Sequence, residues 1–379
     1  MKFRIDLAPL AAAVADAARA LPSRPPVAAL SAVKLEATGS QLTVAAFDYE
    51  VSAKATTDAD VTDGGTVLVP GRLLVDITRT LKGKHPIDIE LDGSSLVSIT
   101  SGNIRYTLHT LPQEEYPALP QPGDASGTVT GNDLNQAVAQ VAAAAGRDDT
   151  LPILTGVQLT VTDGKLTLAA TDRYRFAVRT ISWKPTSDTT SGQALVPAKA
   201  LLDASKMFAD AEQADLALPA SQGVLGMSGP SRSTTMRALD GQLPDYKKLW
   251  PTEFAGTAIV DRDELIAAVK RVAVVAERNT PVRLHFSPGV LSLTAGSSDD
   301  AQARDRIDAH FDTVTGAPLT IGFNPGFLLD GLDALGTHSI QFGIVGPGKP
   351  AVLNGLDKDG NDLGDDALTY LIMPIRLPS

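Results

Sequence analysis

Cysteine is absent from the 379 residues, which excludes disulfides, thiolate nucleophiles and thiolate-held metals together. That suits a reducing cytoplasm, the compartment expected here. Long apolar runs are missing as well. No stretch approaches ~18 consecutive apolar residues, so no membrane-spanning helix is expected. The opening MKFRIDLAPL lacks the extended apolar segment of a secretory leader. Basic charge is in deficit: 33 lysines and arginines against 44 aspartates and glutamates leave a formal charge of −11 and a pI near 4.9. A general nucleic-acid binder is thereby disfavoured. One basic surface on an acidic body remains allowed, because fields act over a Debye length of ~8 Å.

Catalytic patterns are lacking too. There is no G-x-x-x-x-G-K-[ST], no G-x-G-x-x-G, no H-E-x-x-H and no G-x-S-x-G. His85, His109, His285, His310 and His338 are scattered, with no pair at ligand spacing. Asp88, Glu90 and Asp92 alternate and would line one solvated strand face. Asp357-Lys358-Asp359-Gly360-Asn361 begins like a calcium loop. However, Asp362 stands where glycine is needed and Leu368 where the bidentate glutamate belongs, so a hairpin loop is expected. A metal-dependent hydrolase on either cluster is a remote alternative, since neither has a base, nucleophile or complete ligand set beside it. No enzymatic activity, cofactor or metal is expected.

What the chain does have is a long internal repeat. VLVPGRLLVDITRTL (67–81) returns as ALVPAKALLDASKMF (194–208) and as IGFNPGFLLDGLDAL (321–335). Asp76, Asp203 and Asp330 mark the register, each 127 residues from the next, so three copies fill the chain as whole domains. Each copy reads as a strand end running into an amphipathic helix. Leu73, Leu74, Ile77 and Leu81 form one buried stripe, repeated by Ala200, Leu201, Ala204 and Phe208 and by Phe327, Leu328, Gly331 and Leu335. Pro70 and Pro197 fall where the chain enters the helix and a missing N–H costs little. Arg72 and Arg79 lie opposite the stripe, and Lys199 and Lys206 repeat them. The third copy has Gly326 and Asp333 there. Such a face is either merely solvated, with Asp76 pairing Arg72 or Arg79, or directed at a shared anion.

The repeats open alike. Strands Lys2–Asp6, Thr128–Thr130 and Thr257–Val260 precede helices carrying Leu10, Val14, Ala17 and Leu21; Leu134, Val138 and Val141; and Leu265, Val269 and Val272. Asp133 and Asp263 are plausible caps. An arginine follows each helix in a turn: Arg24, Arg147 and Arg278. Each lies shortly before a strand start at Leu30, Leu154 or Leu284, and equivalent placement again suggests a common anion. Alternating strand pairs joined at Thr38-Gly39-Ser40 and Thr162-Asp163-Gly164 come next, and further segments such as Ile87–Leu91, Val97–Ile99 and Arg105–His109 follow. The fold class is therefore α+β, with two helices and about eight short, mostly antiparallel strands per repeat. Pro-rich Leu111–Gly127 and Leu243–Pro251 divide domains at 1–122, 123–252 and 253–379. The apolar tail Leu371, Ile372, Met373, Pro374, Ile375 and Leu377, broken only by Arg376, must dock as a closing strand or on a partner. Arg173-Tyr174-Arg175-Phe176 mixes basic and aromatic character at a loop, suited to core filling or to peptide binding.

Over its whole length the chain resembles the bacterial β sliding clamps, processivity subunits of the replicative DNA polymerase. The resemblance rests on the opening MKF, the triple repeat, VPGRLLVDITRTL, LAATDRYRFAVR, LPDYKKLWP and YLIMPIRL. ATDRYRFA is similar to the actinobacterial form; many members have Gly-His in place of Arg173-Tyr174. The resemblance implies a head-to-tail homodimeric ring of six domains around duplex DNA, tethering polymerase, clamp loader and repair proteins. Its DNA-facing positions match Arg24, Arg72, Arg79, Arg147, Lys199, Lys206 and Arg278, with sequence-independent phosphate contacts. Its pocket for short linear peptides matches Leu154, Thr171, Arg173, Tyr174, Arg175, Phe176, Pro244, Leu249, Leu371, Met373, Pro374, Ile375, Arg376 and Leu377, apolar anchors entering a pocket rimmed by arginine. Its ring contact matches Arg105, Tyr106 and Leu108 against Ala273 and Val274. A duplicate clamp with altered partner or inhibitor binding is the alternative within the family.

Overall fold

Alternating apolar residues set the strands, and 3.6-residue periodicity sets the helices between them. The computed structural model describes all residues except 84, 94, 188–190, 220–222, 246–247, 278–279, 297–300 and 378–379. The first repeat runs β1 (Lys2–Ile5), α1 (Leu7–Ala17), β2 (Ala32–Thr38), β3 (Gln41–Phe47), β4 (Val51–Asp58), β5 (Asp60–Asp63), β6 (Gly65–Pro70), α2 (Gly71–Thr80), β7 (Ile87–Asp92), β8 (Leu96–Ser101) and β9 (Ile104–His109). The second runs β10 (Gly127–Val129), α3 (Gly131–Ala142), β11 (Gly156–Thr162), β12 (Lys165–Thr171), β13 (Arg175–Ser182), β14 (Lys184–Pro185), β15 (Gly192–Pro197), α4 (Ala198–Met207), β16 (Ala214–Ala217), β17 (Val224–Ser228) and β18 (Arg232–Arg237). The third runs β19 (Gly256–Asp261), α5 (Arg262–Ala273), β20 (Val282–Ser287), β21 (Gly289–Gly296), β22 (Gln302–Thr313), β23 (Leu319–Phe323), α6 (Pro325–Leu335), β24 (Ser339–Ile344), β25 (Ala351–Leu356) and β26 (Thr369–Ile372).

Each repeat is itself double, a strand, a helix and three strands, twice over, with one further short strand, β5 or β14, between the halves of the first two. The two halves exchange their first strands: β1 pairs with β7 and β6 with β2, β10 with β16, β19 with β24 and β23 with β20, all antiparallel, and β15 is hydrogen-bonded beside β11. Sheets also run across the repeat borders. β18 pairs with β4, setting Thr235 opposite Ser52, and β26 pairs with β13, setting Leu371 opposite Phe176. Contacts therefore gather into two compact units. One comprises Met1–Asn135, Lys184–Gly192 and Ala200–Ala238, and holds the sheets β5-β1-β7-β8-β9 and β14-β10-β16-β17-β18-β4-β3-β2-β6. The other comprises Gln136–Trp183, Gln193–Lys199 and Leu239–Ser379, and holds the sheet from β15 through β13, β26 and β22 to β23.

Several local expectations need correction. Leu73 is 48% exposed while Leu74, Ile77 and Leu81 are buried, so the stripe of α2 is narrower than the pattern suggested. Helix α1 ends at Ala17 and continues only as a tight turn, leaving Leu21 beyond it. Asp133 lies inside the first turn of α3, where its charge suits the helix dipole. The cap of α5 is Asp261, whose side chain accepts the Glu264 N–H at 2.8 Å, two residues before Asp263. Leu30 and Leu154 sit in 3₁₀ turns, so their strands begin at Ala32 and Gly156, and Leu284 falls inside a strand that starts at Val282. The Asp163-Gly164 turn has φ of 50° and 71°, the paired positive values a tight hairpin needs.

The acidic clusters are quiet. Arg4 donates to Asp88 at 2.7 and 3.1 Å, and Lys2 lies 3.2 Å from Glu90, so neighbouring β1 neutralises that face. The Asp357 carboxylate accepts the Asp359 and Asn361 N–H groups, both at 2.8 Å, as in a self-capped hairpin loop. Asp76 pairs with neither Arg72 nor Arg79 among the described residues, whereas Asp203 accepts from Lys206 at 3.2 Å.

Candidate functional site: an apolar pocket beside the closing strand

The turn joining β12 to β13 builds the site. The Asp172 carboxylate accepts the N–H groups of Tyr174 and Arg175, both at 3.0 Å. The Thr171 hydroxyl donates to the Arg175 carbonyl at 2.6 Å and accepts the Arg173 N–H at 3.1 Å. These bonds hold Arg173 at φ 79°. Arg175 then turns inward and is only 4% exposed. Its Nε donates to Asp172 at 2.9 Å, and one terminal nitrogen donates to Asp330 of α6 at 2.6 Å and to the Tyr370 hydroxyl at 3.4 Å. The Tyr370 hydroxyl donates to the Phe327 carbonyl at 2.9 Å, and the guanidinium lies 4.6 Å over the Phe327 ring. Burial alone would lower the guanidinium pKa, but Tyr370, Asp330 and Asp172 outweigh it and raise it. The Tyr370 phenol is pushed up, chiefly by burial. Gly331 makes this packing possible, since a Cβ there would lie 2.5 Å from the Tyr370 ring.

Beside this cluster opens an apolar cavity of about 230 Å³, lined by Leu154, Thr171, Arg173, Arg175, Phe176, Pro244, Pro350, Leu249, Leu371 and Met373. Phe176 meets Trp250 edge-on at 5.8 Å and belongs to a buried cluster with Ala169, Leu195, Leu243, Val352 and Leu371, so its floor is rigid. A second cavity of about 520 Å³ shares Leu154, Arg173 and Arg175 and adds Arg147, Asp148, Leu151, Tyr174, Asn324, Phe327 and Asp330. Tyr174 stacks on Phe327 with centroids 6.0 Å apart.

Most of the expected pocket residues are thus brought together, with corrections. Arg175 lines the pocket from within instead of offering a free charge at its rim; it is buried and its charge is matched. Tyr174 faces the second cavity. Pro374, Ile375, Arg376 and Leu377 line neither. After Met373, whose N–H reaches the Tyr174 carbonyl at 2.7 Å, the tail docks on β23: Ile375 N–H donates to the Gly322 carbonyl at 2.8 Å and Leu377 packs on Gly322. The segment 243–251 is more than a linker, since Pro244 and Leu249 form one wall. Pro350, Asn324 and Phe327 were missed. For Phe327 the signal was a phenylalanine where the other repeats carry Leu73 and Ala200.

The basic residues Arg24, Arg72, Arg79, Arg147, Lys199 and Lys206 are all exposed; Arg278 lies outside the described residues. Arg72 donates to the carbonyls of Pro22 and Ser23 at 3.2 and 3.3 Å, steadying the loop that carries Arg24. On β9, Arg105 is exposed and Tyr106 half-buried, but Leu108 is 3% exposed and belongs to the core, so it presents no contact surface. Val274 stands 83% exposed at the end of α5, beside half-buried Ala273.

Repeated double units of strand, helix and three strands, with sheets shared across the repeat borders, define a three-domain clamp. The chain matches the DNA polymerase III beta subunit N-terminal domain over residues 1–120, the central domain over 128–245 and the C-terminal domain over 247–376. It belongs to that family, the β sliding clamps, non-catalytic processivity subunits of a DNA polymerase. It is 51% identical to the beta sliding clamp of Streptomyces coelicolor, over the full length of both chains. It is 40% identical to the beta sliding clamp homolog GriR of Streptomyces muensis, covering 99% of each. Among solved structures, the Pseudomonas aeruginosa sliding clamp bound to griselimycin is similar at a TM-score of 0.89 and 27% identity, with both chains fully covered.

Proposed function

We propose that two copies of this chain close head to tail into a six-domain ring that encircles duplex DNA and slides, while the pocket beside β26 holds short linear peptides of the polymerase, the clamp loader and repair proteins. One observation carries the ring. The last strand of the second repeat fills the edge of the first at β18–β4, and the last strand of the third fills the second at β26–β13. By the same rule β9 seeks the fourth strand of a third repeat, β22. Both edges are open among the described residues: β9 pairs with β8 alone, and 302–309 of β22 pair with β21 alone. One chain therefore offers two complementary free edges, the condition for a heterologous contact that closes. Arg105, Tyr106, Ala273 and Val274 flank those edges.

Arg24, Arg72, Arg79, Arg147, Lys199 and Lys206 meet the phosphates; contacts to phosphate carry no sequence information and permit sliding. The domains run 1–122, 123–252 and 253–379, and the ring works in the cytoplasm. No helix among the described residues is long and apolar enough to cross a membrane. The test is topological. Loaded onto a nicked circular plasmid by its host's loader and ATP, the protein stays on the circle through gel filtration and leaves once the DNA is cut to a linear form. Persistence on the linear form would mean direct gripping and would overturn the sliding reading. The likeness to GriR motivates a second reading, a duplicate clamp with altered inhibitor binding; failure of this gene to sustain replication as the sole clamp would favour it.

A further inference from the structure

We propose that Arg173 recognises a carboxylate on the docked peptide, an acidic side chain lying beside its apolar anchor. The proposal rests on the peptide-pocket reading above. Two arginines line both cavities, Arg173 and Arg175. Arg175 is buried and its charge is matched by Asp172 and Asp330. Arg173 is exposed and joins no ion pair among the described residues. Its field reaches Asp148. That carboxylate already accepts the Thr150 N–H at 3.0 Å and the Thr150 hydroxyl at 2.6 Å, and these bonds, more than Arg173, hold it below the usual carboxylate range. An unneutralised guanidinium therefore stands on the wall shared by two cavities, one of them apolar.

Its placement is fixed by the backbone. The positive φ of 79° is imposed by the Thr171 and Asp172 hydrogen bonds, and Tyr49 adopts φ 77° in the matching turn of the first repeat. The turn demands a positive φ, which disfavours any residue but glycine. It does not demand a guanidinium. An arginine held in this way offers a fork to an incoming carboxylate at little further ordering cost, and the apolar cavity beside it receives the neighbouring side chain.

The experiment uses the full-length dimer and octapeptides, acetylated and amidated, sharing a Leu-Phe anchor. Each carries glutamate at one of the remaining positions, with glutamine at that position as its control. Affinities are measured by fluorescence anisotropy for wild type, Arg173→Gln and Arg173→Gly, the last relaxing the positive φ and guarding against misfolding. At one or more positions glutamate should improve binding roughly three- to fivefold over glutamine in wild type, as for a partly exposed ion pair. Both variants should bring the glutamate-to-glutamine affinity ratio to one, whatever they do to the glutamine peptides themselves, and in wild type the gain should shrink in 0.5 M salt, roughly as expected for screening. Absence of coupling at every position overturns the proposal. So does coupling that appears only when the same peptides are remade with a free C-terminal carboxylate, which would assign Arg173 to chain ends. If wild type binds none of the peptides, the pocket reading itself fails and this proposal falls with it.

Discussion

The turn after β3 and the turn after β12 share a backbone and differ in consequence. In the first repeat the Asp48 carboxylate accepts the Glu50 and Val51 N–H groups at 3.0 and 2.7 Å, just as Asp172 accepts those of Tyr174 and Arg175. The Arg237 N–H reaches the Glu50 carbonyl at 2.9 Å, as the Met373 N–H reaches that of Tyr174. Only the side chains differ. The Ser52 and Thr235 hydroxyls bond at 2.7 Å across the β4–β18 seam, where β13–β26 opposes Phe176 and Leu371. Phe47 occupies the place of Thr171 and packs edge-on against Tyr49 at 5.7 Å. Small paired hydroxyls satisfy each other across the first seam. Large apolar groups under a threonine leave a concave apolar floor that water wets poorly, which is where a peptide side chain gains most by entering. The fold supplies the seam twice; residue size and polarity set the lining that each copy presents.

The largest expected effect comes from removing what locks the binding seam. Arg175→Ala leaves Asp172 and Tyr370 inside without their partner, together with the half-exposed Asp330. Breaking a buried pair costs several kcal/mol, and discounting for the exposure of Asp330 leaves about 2–3 kcal/mol. Denaturant unfolding should show that loss, with peptide binding abolished. Arg175→Lys should recover little of either, because an ammonium cannot reach Asp172 and Asp330 with a fork. Unchanged stability would show that the cluster does not lock β13 to α6.

Next comes converting one seam into the other. The double change Phe176→Ser with Leu371→Thr gives the second seam the paired hydroxyls of the first and removes the pocket floor. Peptide affinity should fall at least about tenfold, as for loss of a central anchor site. A titration of a Leu-Phe peptide checks this, and retained affinity would place the anchor elsewhere. A smaller loss, about twofold to fivefold in the same titration, is expected for Met373→Arg, which copies Arg237 at a partly exposed wall position.

Much of this was legible in the sequence. The 127-residue period, the helix stripes and the hairpin turns follow from spacing, and the pocket lining sits in local motifs that carry the family resemblance. The half-repeat within each domain was not legible, because strand exchange constrains backbone pairing more than side-chain identity. Nor was the burial of Arg175. Its partner Asp330 lies 155 residues away and served in the sequence only as a register mark, one whose neighbours Gly326 and Asp333 had lost their bases. Two charges meeting across repeats leave no periodic trace. The α5 cap shifted by two residues because Asp261 and Asp263 both stand near its start.

The smallest expected effect tests the other unit, where Arg232 takes the locking role. It lies 3.0 Å from the buried Asp16 of α1 and donates to the Met207 carbonyl at 2.7 Å and to Asp210. Burial raises the Asp16 pKa, and Arg232 and Arg19 offset this only in part. The folded state therefore holds the Asp16 proton more tightly than the unfolded chain, where the pKa is ~3.9. The stability this contributes is fully present below ~3.9 and is lost as the pH rises through the raised folded value. That sign is opposite to the usual acid lability of paired carboxylates. Relative to Asp16→Asn, wild type should lose stability as the pH climbs from 3.5 through that window and then run parallel to the variant at neutral pH. Paired urea titrations across the window measure the difference. A difference that grows with pH would mean that Arg232 and Arg19 win over burial at Asp16.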